Sequence, residues 1–235
     1  MLKVENLNAG YGDVQILWDM SLEVQEKSIT ALIGSNGVGK TTFLRTVAGA
    51  LRAYSGRISF GGRDITHVPQ QKRAVMGIMM VPEGRQLYSG LTVEENLIMG
   101  AYTRKDGKAI KADLEWVYSI MPRLKERRRQ LAGTLSGGEA QMCALSRGLM
   151  AAPKLLMIDE LSLGLAPVIV DDLVRILEKI HRESELTVIL VDQDVQTALQ
   201  IADRGYVMVS GRVEMQDESS RLLANADIQK AFLGI

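Results

Sequence analysis

The apolar positions of this chain fall into two kinds of run. Short, mostly apolar runs occupy 28–33, 75–81, 155–158 and 187–191, the pattern of strands buried on both faces. Partial alternation over 2–7 and 22–24 marks half-buried strands, with a turn expected over 9–12. Residues 56–62 read as a short strand closing in a turn, and 206–209 and 213–215 flank Ser210-Gly211-Arg212, a hairpin signal. Helical spacing follows at 42–50, at 195–202 and over 167–180, where Ile169, Leu173, Ile176, Leu177 and Ile180 share a face. From about Leu91 to Ala152 no strand is visible. Thr92 and Glu95 form a capping-box pattern, and helices are expected over 113–120, 122–131 and 139–151. Residues 217–235 read as a terminal helical segment. Strands alternating with helices predict an α/β fold around a mainly parallel sheet with right-handed crossovers. N-terminal antiparallel strands precede it. A core of 1–85 and 153–235 is interrupted by an α-helical subdomain over 86–152.

Composition narrows the class. The 235 residues, 46% of them hydrophobic, suffice for one large domain or a domain with a subdomain. Lys+Arg and Asp+Glu number 28 each, without the basic excess usual in nucleic-acid binders. The single cysteine, Cys143, permits no intrachain disulfide and fits a reducing cytoplasm. The N-terminus shows no apolar signal segment, and no run of apolar residues is long enough to span a bilayer. Any membrane role is therefore expected to come through a partner. His67 and His181 lie far apart and read as surface residues, not as a zinc site. The charge run at 125–129 reads as a solvated helix face.

Three stretches carry chemistry. Gly34-Ser35-Asn36-Gly37-Val38-Gly39-Lys40-Thr41 matches the phosphate-binding pattern G-x-x-x-x-G-K-[ST], with a strand before it and a helix from Thr42 after it. Loop amides at a helix start favour an anion. Lys40 would reach the β- and γ-phosphates and Thr41 would bind Mg²⁺. At 155–160 a buried strand ends in Asp159 and Glu160. Asp159 is suited to hold Mg²⁺, and Glu160 to activate or orient water. Ser136-Gly137-Gly138-Glu139 opens a helix and offers a second anion nest. One nucleotide is already served by the first loop, so the second nest points to a nucleotide on another chain.

Together these stretches resemble the ATP-binding subunits of ABC transporters, over essentially the whole chain. AGYG, VPEGR at 81–85, LTVEENLIMG at 91–100, SLGLAP at 162–167, ADRGYV at 202–207 and the closing FLGI resemble the smaller ATPase of the branched-chain amino acid uptake branch. The resemblance implies a P-loop, RecA-like fold and an ATPase using ATP and Mg²⁺. It implies Tyr11 stacked on adenine and Gln193 as the γ-phosphate sensor, where the wider family has histidine. Glu83, where most of the family has glutamine, becomes a further candidate for Mg²⁺ or the attacking water. It also implies a head-to-tail dimer with a second nucleotide-binding subunit, alike or different, that sandwiches two ATP. Permease subunits would dock near 82–90 and deliver cargo from a substrate-binding protein. The chain would then sit in the cytoplasm, peripheral to the cell membrane. Other cargo (urea, short amides, lipid-linked substrates) and a soluble, non-transport ABC ATPase are the competing readings. Leu161, in place of a proline, is expected to loosen the turn after Glu160. Ala140 departs from a glutamine, and Gly148 is expected to weaken its helix by about 1 kcal/mol.

Overall fold

The structure, a computed structural model, describes residues 1–230. The closing FLGI lies outside the described residues. In chain order the elements are β1 (Leu2–Tyr11), β2 (Val14–Val24), β3 (Ile29–Ile33), α1 (Lys40–Ala48), β4 (Ala53–Phe60), β5 (Arg63–Asp64), α2 (Gln70–Val75) and β6 (Ile78–Val81). Then come α3 (Val93–Gly100), α4 (Gly107–Ile120), α5 (Pro122–Glu126) and α6 (Gly137–Leu149). The chain closes with β7 (Leu155–Asp159), α7 (Pro167–Ser184), β8 (Thr187–Val191), α8 (Val195–Ile201), β9 (Arg204–Val209), β10 (Arg212–Glu218), α9 (Ser219–Leu223) and α10 (Ala226–Ile228).

Two sheets result. Strands β2, β1, β4 and β5 make an antiparallel sheet of four. The other runs β10-β9-β3-β8-β7-β6, parallel except for the terminal hairpin strand β10. Every residue of β3, β7 and β8 is buried, and alternation along these strands divides them between two cores. Ile29, Ala31, Ile33, Leu156, Ile158, Val188 and Leu190 face one core, which also holds α3, α6, α7 and α8. Leu32, Leu155, Met157, Ile189 and Val191 face the other, together with α1 and the antiparallel sheet. The helical stretch thus packs on a single face of the parallel sheet. Along α7, Leu173, Leu177 and Ile180 are fully buried and Ile169 and Ile176 rest against the same core, as the periodicity predicts.

Several elements depart from the sequence expectation. Residues 9–11 are strand, not turn. Ala9 pairs with Leu17 on one side and Ala53 on the other, and pairing on both sides outweighs the local glycine signal. Helix α5 stops at Glu126, short of 131. Its expected continuation serves α3 instead, whose Val93 and Glu94 amides donate to the Gln130 and Arg128 carbonyls, at 3.0 Å each. That supplies partners that a helix start otherwise lacks. Helix α4 begins earlier than expected, at Gly107, and α2 carries no apolar period that could have marked it. Residues 217 and 218 extend β10 before two short helices follow.

Gly148 is not a defect in α6. A Cβ there would stand 2.9 Å from Val81 Cγ2 and 3.2 Å from Leu156 Cδ1, so its absence lets the helix lie close on the sheet. His181 is half-buried rather than on the surface. Its Nδ1 donates to the Leu186 carbonyl at 2.8 Å, which binds the end of α7 to the loop before β8.

Candidate active site

Register brings the chemistry to one edge. Leu32 of β3 lies beside Val191 of β8, Asp159 of β7 is also level with Val191, and Val81 of β6 is level with Ile158. The four strands therefore end together. The phosphate loop, Glu83, Glu160 and Gln193 each follow one of these ends, at the carboxyl edge where open parallel sheets bind ligands. A cavity of about 330 Å³ opens there, lined by Tyr11, Ile16, Asn36, Lys40, Thr41 and Thr42, with Glu83, Glu160 and Gln193 opposite. Gly37 and Gly39 complete its floor.

The loop is shaped for close approach. Gly39, at φ 108°, precedes α1 with no side-chain cap, which leaves the first helix amides free to meet an anion. A Cβ on it would stand 2.9 Å from both Ile16 Cγ2 and Met208 Cε. Gly34, Ser35 and Val38 do not line the cavity. The first two present carbonyls to Lys40 Nζ at 2.7 and 3.1 Å, and the Val38 carbonyl accepts from the Gly211 amide at 3.0 Å. Asn36 Nδ2 donates to Gln193 Oε1 at 3.2 Å across the cavity. Tyr11 is 44% exposed and accepts from Arg45 Nη1 at 3.4 Å. Ile16 completes an apolar wall beside it; the sequence signals that residue only through strand alternation.

The acids are buried. Thr41 Oγ1 donates to Asp159 Oδ1 at 3.2 Å, and Lys40 Nζ lies 4.0 Å from Glu160 Oε1. Among the described residues, Asp159 Oδ2 and Glu160 Oε2 are buried without a hydrogen-bond partner. Burial pushes both carboxyls above their ordinary range; Glu83 adds to the effect at Asp159, and Asp192 adds to it at Glu160. A hydroxyl and one carboxylate with an orphaned oxygen form a hard oxygen set that fits Mg²⁺, which takes only one or two protein ligands beside phosphates. Among the described residues, no three His, Cys, Asp or Glu side chains gather to hold a metal without such help.

The turn after Glu160 is pinned rather than loose. Leu161 is 1% exposed, within the core. The Glu160 amide donates to the Val191 carbonyl at 2.8 Å, and Ser162 is bonded to Asp192. Glu160 itself has φ 59°. A proline at 161 would oppose that left-handed backbone, because the residue before proline is driven toward extended conformations.

None of Ser136, Gly137, Gly138 and Glu139 lines the cavity. Ser136 caps α6 in a reciprocal capping box with Glu139. The carboxylate of Glu139 accepts from the Ser136 hydroxyl at 2.8 Å and pairs with Arg127 at 2.6 Å. Burial opposes its ionisation, but these partners hold its pKa below the usual range. Arg127 is therefore not merely part of a solvated charge run.

Two further arginines escaped the sequence. Arg147 of α6 donates to the Gln86 and Arg85 carbonyls at 2.7 and 3.2 Å and stabilises the loop after Glu83, where both residues have positive φ. Arg73, 2% exposed, grips the end of α1. Its Nη1 donates to the Thr46 and Val47 carbonyls at 2.8 Å each, Nε to Val68 at 2.8 Å and Nη2 to Thr66 at 2.9 Å.

A lysine–threonine pair at a helix start, level with a strand-end aspartate, is the arrangement of P-loop nucleoside triphosphatases, and the chain is of that class. Residues 17–162 match the model of the family described as "ABC transporter". The chain is 46% identical over 235 residues to the high-affinity branched-chain amino acid transport ATP-binding protein BraG of Pseudomonas aeruginosa, with 100% of each covered. It is 37% identical to the probable branched-chain amino acid transport ATP-binding protein LivF of Archaeoglobus fulgidus, covering 100% of this chain and 99% of that one. Among solved structures, the ADP conformation of MJ1267, an ATP-binding cassette of an ABC transporter, superposes with a TM-score of 0.84 at 25% identity, covering 100% and 99% of the two chains. The chain belongs to the ABC transporter family, as an ATP-binding cassette that hydrolyses ATP.

Proposed function

We propose that this cassette energises an importer of branched-chain amino acids. Support for the cargo comes from BraG, at 46% identity; identity to the lipopolysaccharide export cassette LptB of Haemophilus influenzae is 32%. The chain acts as one of two nucleotide-binding subunits beneath a permease, on the cytoplasmic face of the membrane. Among the described residues no helix is long and apolar enough to cross that membrane. Tyr88, Ile98, Met99 and Tyr102 are exposed apolar residues on and beside α3. Asn96 ties α3 to the Tyr88 loop by bonds in both directions, and this face receives the permease.

The amides at the start of α1 and Lys40 bind the triphosphate, and Tyr11 with Ile16 supports the base. Thr41 and Asp159 would hold Mg²⁺, which would supply charge neutralisation for the phosphates. Glu160 accepts a proton from the attacking water on the oxygen that has no partner among the described residues. Gln193 positions the γ-phosphate, and Glu83 orients water at the cavity edge. Ser136 and the amides of Gly137 and Gly138 complete the site of the opposite subunit. ATP thereby favours a closed dimer through contacts that the open one lacks.

The observation that carries this reading is the separation of the Ser136 nest from the cavity of its own chain. Ser136→Arg tests it: hydrolysis should fall at least tenfold while ATP binding by the isolated chain is unchanged. A loss of binding would place the nest in cis and overturn the reading. Affinity purification from native membranes should recover permease subunits, a second cassette and the substrate-binding protein whose ligand identifies the cargo.

A further inference from the structure

Asp192 has no role in the scheme above, yet it is 1% exposed, as buried as Asp159. It directly follows Val191, whose carbonyl takes the Glu160 amide. Its Oδ1 accepts from the Ser162 hydroxyl at 2.6 Å and from the Asp194 amide at 3.0 Å, and its Oδ2 accepts from the Ser162 amide at 3.0 Å. One buried carboxylate thus clasps the turn after Glu160 and the turn that carries Gln193.

Glu160 needs such a clasp. A non-glycine residue at φ 59° holds that backbone only where its surroundings impose it. Three successive residues are fixed by three different devices. The Glu160 amide is tied to the strand end, Leu161 is sunk in the core, and Ser162 is bound at both its amide and its hydroxyl by Asp192. Of the three, only the last acts through a polar side chain from a neighbouring strand end. Ser162 also opens the 162–166 loop, so displacement of that loop is felt first at Asp192.

We propose that Asp192 is a positioning residue for ATP hydrolysis: by clasping Ser162 and the Asp194 amide it holds Glu160 and Gln193 in one fixed arrangement around the γ-phosphate. The proposal rests on the reading of Glu160 as the group that activates water. Asp192 does not line the nucleotide cavity. Its loss therefore leaves the phosphate loop intact and misplaces the groups opposite it.

The test compares Asp192→Ala, Asp192→Glu, Ser162→Ala and the Asp192→Ala/Ser162→Ala double variant with wild type, in the full-length chain within the complex in which it turns over ATP. Glu160→Gln serves as the control. Asp192→Ala and Ser162→Ala should each lower kcat at least tenfold, with KM and the Kd for ATP within twofold of wild type. The double variant should fall no further than the worse single, because both delete one clasp. Asp192→Glu, which keeps a carboxylate, should recover part of kcat. Ser162→Ala opens no buried cavity of comparable size, so it carries the test if Asp192→Ala does not fold. Wild-type kcat in Ser162→Ala, additive losses in the double variant, or a parallel loss of nucleotide binding would overturn the proposal. Full turnover in Glu160→Gln would instead refute the underlying assignment of the base. Loss in that control with wild-type kcat in the Asp192 and Ser162 variants would refute the positioning role alone.

Discussion

Replacement of Arg73 by leucine should destabilise the whole cassette, although Arg73 lies outside the nucleotide cavity. Its guanidinium satisfies four carbonyls, two of them at the last turn of the helix that carries Lys40 and Thr41. A hydrogen bond to a charged group contributes about 1.5–3 kcal/mol net. Counting only the two bonds to Thr46 and Val47, at the end of α1, the loss is about 3–6 kcal/mol. Burial of the leucine side chain returns about 1.5–2 kcal/mol. A net loss of about 1–4.5 kcal/mol lowers Tm by roughly 2–18 °C in a domain of this size. Arg73→Lys, with three donors around a point charge in place of a planar fork, should lose about half as much. Thermal unfolding of the nucleotide-free chain, followed by circular dichroism, measures both. A Tm within about 2 °C of wild type for Arg73→Leu would show that water or rearranged backbone replaces the guanidinium, and would refute the account.

Lys40→Ala should abolish ATP binding, read by titration with a fluorescent nucleotide; an unchanged Kd would contradict the phosphate-loop geometry. Gly148→Ala gains about 1 kcal/mol of helix propensity but loses about 1–3 kcal/mol by overpacking against stiff Val81. The urea midpoint should therefore fall, and a rise would refute the close-packing reading. The Cys143 thiol is pushed up from 9.0 to about 11, chiefly by burial. Iodoacetamide at pH 8 should leave it unmodified in the native chain and alkylate it after unfolding. Because the folded chain keeps this proton longer than the unfolded one, its contribution to stability is present below pH 9.0 and lost as pH rises toward about 11. A Cys143→Ala variant should lack that component of the pH–stability curve.

The parts of the site that depend on a local run were legible in the sequence. A glycine-rich loop between strand and helix, and a buried strand ending in two acids, announce themselves because strand, loop and helix each leave a periodic or compositional mark. Level strand ends then follow from parallel pairing. What stayed hidden depends on partners remote in the chain. Arg73 sits on a short polar helix and reaches backwards to carbonyls of α1. Gly148 reads as a weak point until Val81 and Leu156 are placed against it. Leu161 reads as a missing proline until the core around it and the Ser162–Asp192 bonds are seen. Tyr11 is legible only through resemblance, and its strand reads as a turn because the pairing of Ala9 with Leu17 and Ala53 leaves no mark in the local sequence.

The division of the parallel sheet between two cores has a consequence for how such a chain can diversify. Side chains beneath the phosphate loop and those beneath the exposed face of α3 sit on opposite sides of one layer of strands. Changes on the two sides share few packing partners, so their effects on stability add rather than conflict. A descendant can therefore remodel the surface presented to a new membrane partner while the nucleotide-holding side goes on tolerating the same small set of residues.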